Sequence, residues 1–226
     1  MKKIIFTLIL LTTIFSNSHS QEALTKFKTN AKGELELSEV VNCSNSGKML
    51  YSNAQEWITK SFGNYKSVIQ LENIEALKLI MKSSMDIGFS YKSPTIKALD
   101  TWYKLNFVIT IECKNNKFRY TISDIITEHC NHEECFLLGE SHAGTGSRLQ
   151  HIEYLNNALE ERKEKLIKLK EEDDESINEK EKEPDYLISF FEREIENHKE
   201  WLSKELIIIL SIGDSLKEAM CVDNDF

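Results

Sequence analysis

Proline and glycine are scarce in this chain, two and eight among 226 residues. That excludes long flexible or polyproline linkers and points to tightly connected elements. Positive charge is also in deficit: 28 Lys and Arg stand against 37 Asp and Glu, a formal net charge of −9. Long-range repulsion then opposes nucleic acid and anionic lipid as partners. Beyond residue 20 no apolar run approaches the roughly 20 residues a membrane span needs. The most apolar stretch, Leu206 to Ile212, is short and is followed by Gly213 and Asp214. Catalytic signatures are missing as well. There is no GxxxxGK[ST] loop, no strand–glycine–helix unit, no GxSxG, no HExxH and no EF-hand loop. The glycines of the Gly139–Ser147 segment (Gly139, Gly144 and Gly146) match no phosphate-binding spacing and read as a connector. No cofactor is expected, and an enzyme is disfavoured without being excluded.

What is present begins with an export pattern. Met1, Lys2 and Lys3 form a short basic start, and an apolar run from Ile4 to Phe15 follows. Ser18 and Ser20 then supply small residues before Gln21. This is the order of a cleavable secretory signal over residues 1–20. No Cys stands at the cleavage point, so a lipid anchor is not expected. The expected mature protein is periplasmic or secreted. Losing Lys2 and Lys3 leaves 26 basic against 37 acidic residues, a net charge of −11.

Residues 21–33 are polar and read as an extended or disordered N-terminus. From residue 34 to 126 the pattern is that of a folded α/β unit. Leu35, Leu37 and Val41 alternate with Glu34, Glu36 and Ser38, which predicts a strand ending near Cys43. Ser46 is placed to cap a helix carrying Leu50, Ala54, Trp57 and Ile58, and Gly63 to end it. Strands are predicted at Tyr65–Leu71 and Ile74–Lys82, the second with a helix as the competing reading. The clearest hairpin follows. Leu105, Phe107, Ile109, Ile111 and Cys113 share one face, and Phe118, Tyr120 and Ile122 continue it after the Lys114–Lys117 turn. One apolar and one polar face over two strands marks an antiparallel sheet covered on one side.

Residues 127–148 form a Cys- and His-containing loop, and 149–222 a helical hairpin. Leu149, Ile152, Leu155 and Leu159 fall at helical spacing, as do Leu187, Phe191, Ile195, Leu202 and Ile209. The nearly all-charged run from Glu171 to Glu183 reads as the solvated tip, and Pro184 suits a helix start. The fold class is therefore α+β.

The stretch from Glu39 to Ile125 resembles an exported bacterial domain-of-unknown-function family with a TBP-like fold, the fold of TATA-box-binding protein. The likeness rests on Lys48–Ile58, on Val68-Ile69-Gln70, and on the Leu105–Cys113 hairpin closing with Phe118–Ile122. Ser215–Met220 with Asp223 and Phe226 is similar to the family's closing helix. The resemblance implies a curved antiparallel sheet with helices on one face, to which the long C-terminal helical hairpin is added. It does not imply DNA binding, since fold does not settle function.

Two sets of residues are candidates for a site. Trp102, Asn106, Thr110, Glu112, Arg119 and Thr121 lie on or beside the polar sheet face and are the candidate ligand-binding set. His129, Cys130, His132 and Cys135, with His142 nearby, place several metal-ligand types within a few residues. Their spacing matches no established zinc pattern. In an oxidising compartment a Cys130–Cys135 disulfide is the simpler reading. Cys43 and Cys113 read as small core residues or as partners across the sheet, and Cys221 is open. Trp57 is expected to pack the first helix onto the sheet.

Three functions fit these features. The first is a non-enzymatic ligand- or protein-binding module of the bacterial envelope. The second is an enzyme or metal-binding protein using His129–Cys135. The third is a self-associating structural envelope protein.

Overall fold

A computed structural model of the chain describes residues 23–91, 99–130, 135–137, 145–171 and 183–222. In chain order the strands are β1 (Phe27–Thr29), β2 (Leu35–Asn42), β3 (Ile69–Asn73), β4 (Lys78–Tyr91), β5 (Leu99–Lys114), β6 (Lys117–Cys130) and β7 (Cys135–Leu137). The helices are α1 (Gly47–Phe62), α2 (Tyr65–Val68), α3 (Thr145–Glu171) and α4 (Glu183–Met220). The strands form one sheet in the order β1-β2-β6-β5-β4-β3, with β7 added to the far end of β6. Every pairing is antiparallel.

The alternation in β5 and β6 sets the two faces. Leu105, Phe107, Ile109, Ile111 and Cys113 are buried, as are Phe118, Tyr120 and Ile122 opposite them. Leu79 and Met81 of β4 and Leu35 and Leu37 of β2 complete that face. α1 covers it through Leu50, Ala54 and Ile58, which are fully buried. Ser46 caps α1 by accepting from the Met49 N–H at 3.3 Å, and Gly63 ends it at φ 72°. That positive φ is one glycine reaches without strain.

A bulge divides β6. Asn106 faces Ile126 but Val108 faces Ser123, so β6 carries one extra residue there, and Asp124 sits at φ 50°. The core-facing set therefore changes from Phe118, Tyr120 and Ile122 to Ile125 and Thr127, both buried. A bulge of this kind re-aims side chains beyond it.

α3 and α4 form the hairpin and join the same core through Ile152, Leu155, Leu159, Ile195, Leu202 and Leu206. Gly213 of α4 lies directly on the Tyr120 ring; a Cβ there would stand 2.8 Å from the phenol oxygen. The end of α4 is tied to the first strand–helix junction. Asn45 and Asn53 donate to the Met220 carbonyl at 3.2 and 3.1 Å, supplying partners for a helix-terminal oxygen. Trp57 Nε1 donates to Ser215 Oγ at 3.1 Å. Trp57 thus packs α1 on α4 as well as on the core. No described helix is long and apolar enough to cross a membrane.

Several local expectations are corrected. Tyr65–Val68 is a helical turn, so the strand predicted from Tyr65 starts at Ile69. β4 starts at Lys78, because Ile74–Leu77 form the turn, with Leu77 at φ 50°. It is a strand and not the competing helix. Within the expected loose N-terminus, Phe27 of β1 is buried and pairs opposite Leu37. Cys43 is neither a core thiol nor a partner of Cys113: it is disulfide-bonded to Cys221, with Cα atoms 5.4 Å apart. Cys113 is a buried free thiol, and burial pushes its pKa up to about 12.

Candidate ligand-binding cleft

Two charged residues interrupt otherwise apolar helix stripes. Arg148 stands one turn before Ile152 on α3, and Glu205 stands between Leu202 and Ile209 on α4. Packing of α3 on α4 brings them together, with Arg148 Nη2 and Glu205 Oε1 2.8 Å apart and side chains 1% and 2% exposed. The bulge in β6 turns Thr127 toward the same point, and its hydroxyl donates to Glu205 Oε1. The Arg148 guanidinium lies 4.6 Å from the centroid of the Trp201 ring. Trp201 meets Tyr103 of β5 edge to face at 4.3 Å.

Burying an ion pair is costly unless the remaining donors and acceptors are also satisfied. Here they are not. Arg148 Nε and Nη1 and Glu205 Oε2 are buried without a hydrogen-bond partner among the described residues. Each such group costs about 1–3 kcal/mol. A buried pair of this kind is therefore weak evidence of a net stabilising role.

Beside the pair a cleft of about 350 Å³ opens between the far half of the sheet and α4. Ile87, Tyr103 and Thr127 line it from β4, β5 and β6. Trp201, Glu205 and Ile208 line it from α4. Asp86 and Lys204 also contribute, and Lys204 is paired with Glu200 at 3.0 Å. An apolar wall with a few convergent polar groups is the usual make-up of a small-molecule site, and the volume falls at the small end of the usual range.

Thr110, Glu112, Arg119 and Thr121, singled out from sequence, occupy the opposite face. Thr110 faces Thr121, and Glu112 faces Arg119, across β5 and β6. Arg119 Nε donates to Glu112 Oε2 at 2.8 Å, and Lys78 stands 3.1 Å from Glu112 Oε1. The hydrogen bond from Arg119, with Lys78 beside it, holds the Glu112 carboxyl below its ordinary value despite partial burial. Thr121 Oγ1 and Ser38 Oγ lie 3.0 Å apart. Lys114 and Lys117 join Glu112 and Arg119 around a shallow groove of about 340 Å³. Asn106 lies beyond the bulge on this face, and its buried Nδ2 has no partner among the described residues. Trp102 pairs opposite Gly88 and Cys130 along the backbone, and its side chain lies outside the described residues.

In the second predicted cluster the backbone places Cys130 opposite Cys135 and His129 opposite Phe136. The side chains of His129, Cys130 and Cys135, and the whole of His132 and His142, lie outside the described residues. So do the local disulfide and the metal site expected there. Among the described residues, no group of three or more His, Cys, Asp or Glu is placed to hold a metal ion.

Sequence reasoning passed over Arg148, Glu205, Thr127 and Tyr103, and placed Trp201 only on the last helix. The available signal was one opposite charge on each apolar stripe of a helical hairpin. Two such charges can share one core only as a pair.

The family described as a domain of unknown function (DUF4468) with TBP-like fold matches residues 38–127. Solved structures similar to the chain include a DUF4468 family protein from Bacteroides ovatus, at 15% identity and TM-score 0.38, covering 48% of this chain and 63% of that one. The chain therefore spans less than two thirds of that protein's length. They also include a TBP-like protein from Parabacteroides distasonis, at 12% identity and TM-score 0.45, covering 84% of this chain and 95% of that one. No curated protein matches the chain.

Proposed function

We propose that the chain, whose residues 38–127 match the family described as a domain of unknown function (DUF4468) with TBP-like fold, is an exported, non-enzymatic binding module whose cleft between the sheet and α4 holds a small ligand. The observation that carries this reading is the cleft itself: an apolar opening of about 350 Å³ with the buried, incompletely satisfied Glu205 in its wall. Neither the fold nor the polar sheet face supports a nucleic-acid role. A net charge of −9 opposes a polyanionic partner, and a fold does not carry its best-known function with it.

Export is supported by the basic, apolar and small-residue order of the first 20 residues. The Cys43–Cys221 bond supports it too, since disulfides of this kind persist in oxidising compartments.

The test is native mass spectrometry of the full chain purified from its own source without reductant or chelator. A mass excess lost in the Ile208→Trp variant, which fills the cleft, is the expected result. A bare chain, lighter only by the hydrogens given up to disulfides, would count against a retained small ligand.

A further inference from the structure

The polar atoms around the cleft are unequally committed. Glu205 Oε1 accepts from both Arg148 and Thr127. Glu205 Oε2 is buried and accepts from nothing among the described residues. Asp86 borders the cleft, but the strand alternation puts its side chain on the outer face, opposite Lys104 and on the side of Lys78 and Glu112. The one cation among the described residues lining the cleft, Lys204, is paired with Glu200. Arg148 has spare N–H groups that would suit an acceptor, yet it does not line the cleft. An ionised carboxylate only accepts hydrogen bonds. What completes this site is therefore a donor, and a ligand anion would face Glu205 with no uncommitted cation among the described residues of the cleft wall.

The rest of the lining sets the body of the ligand. Tyr103, Trp201, Ile87 and Ile208 offer aromatic and branched apolar surface, and the volume of about 350 Å³ limits the ligand to a compact molecule. We propose that the cleft binds a small aromatic or branched apolar primary amine, its ammonium group donating to Glu205 Oε2 and its body lying against Trp201 and Tyr103. This inference rests on the reading of the cleft as a ligand site and adds the chemical class. A charge-assisted hydrogen bond in a water-poor site is among the stronger ones available, so the amine is selected over shape-matched molecules that lack it.

The experiment titrates the full, oxidised chain with three probes of similar size: 2-phenylethylamine, phenylacetate and propylbenzene. Calorimetry gives the affinities, and the Trp201 indole signal in NMR reports where binding occurs. The amine is expected to shift Trp201 and to bind about tenfold or more tightly than either of the others. The preference is expected to shrink to about threefold or less in Glu205→Gln, which keeps the shape and removes the charge. That variant can fail to fold because Arg148 loses its partner. Ile208→Trp, which leaves the ion pair alone, is expected to abolish binding of all three. Equal binding of the three probes at Trp201 would overturn the amine class while leaving a ligand cleft in place. Preferential binding of phenylacetate, or amine binding that persists in Ile208→Trp, would overturn it as well. So would the absence of any shift, whereas the ligand-site reading falls only if the purified chain also carries no bound mass.

Discussion

Replacing Cys43 and Cys221 together by Ser removes a cross-link between residues 178 apart in sequence. The contacts of the native end of α4 remain: Asn45 and Asn53 still reach the Met220 carbonyl, and Trp57 still reaches Ser215. The folded state should therefore persist, and the main effect falls on the unfolded chain. Closing a loop of this length removes roughly 18 cal/mol/K of chain entropy, about 5 kcal/mol at 25 °C. Engineered and native bonds often deliver less, so a loss of about 3–5 kcal/mol is the expected range. Urea unfolding followed by tryptophan fluorescence measures it. With a slope of about 2 kcal/mol/M the midpoint should fall by roughly 1.5–2.5 M, and the slope should rise as the freed denatured state expands. Reducing the wild-type protein should reproduce the shift. A loss below about 1 kcal/mol, or a wild-type protein indifferent to reductant, would refute the reasoning.

Three further outcomes are expected. Gly213→Ala should cost about 1–3 kcal/mol in the same assay, because its Cβ meets a Tyr120 ring that is 1% exposed and held by a hydrogen bond to Glu39, so the ring cannot give way. Glu205→Ala should cost about 3–5 kcal/mol by stranding the Arg148 charge, whereas the double change Arg148→Met with Glu205→Leu should cost much less, and equal losses would contradict the ion-pair account. Stability should also fall as the solution turns alkaline. Burial raises Cys113 and Tyr51 to about 12 and raises Tyr120 further, so the folded state holds these protons and their contribution is complete only below their ordinary pKa values. The urea midpoint should decline from about pH 9 upward, Cys113→Ala should flatten the first part of that decline, and a midpoint flat to about pH 11 would be inconsistent with these shifts.

The hairpin of β5 and β6 was readable because a period of two leaves its mark on every residue from Leu105 to Ile122. The second half of β6 was not. A bulge at Asp124 is a backbone event, and Ile125 and Thr127 change face without any change in composition. The helical turn at Tyr65–Val68 was hidden for a related reason, since four residues cannot show a helical period. The disulfide was hidden by distance: Cys130 and Cys135 are neighbours in sequence, while Cys43 and Cys221 become neighbours only once α4 has crossed the sheet. Thr110, Glu112, Arg119 and Thr121 share the outer face because they follow the strand alternation. The Glu205 site needed three things at once, the α3–α4 packing, the bulge and the α4–sheet crossing. Only the first left a trace in the sequence, as Arg148 and Glu205 on their apolar stripes.

The most direct measurement is a crystal structure of the protein taken from its own source, never exposed to reductant, with the density in the cleft refined without prior assumption. The account predicts a compact non-protein molecule between Tyr103, Trp201 and Ile208, with a donor within hydrogen-bonding distance of Glu205 Oε2. A collapsed cleft in which Glu205 Oε2 is met by the protein's own groups, or a ligand seated instead on the outer face around Arg119, would contradict it.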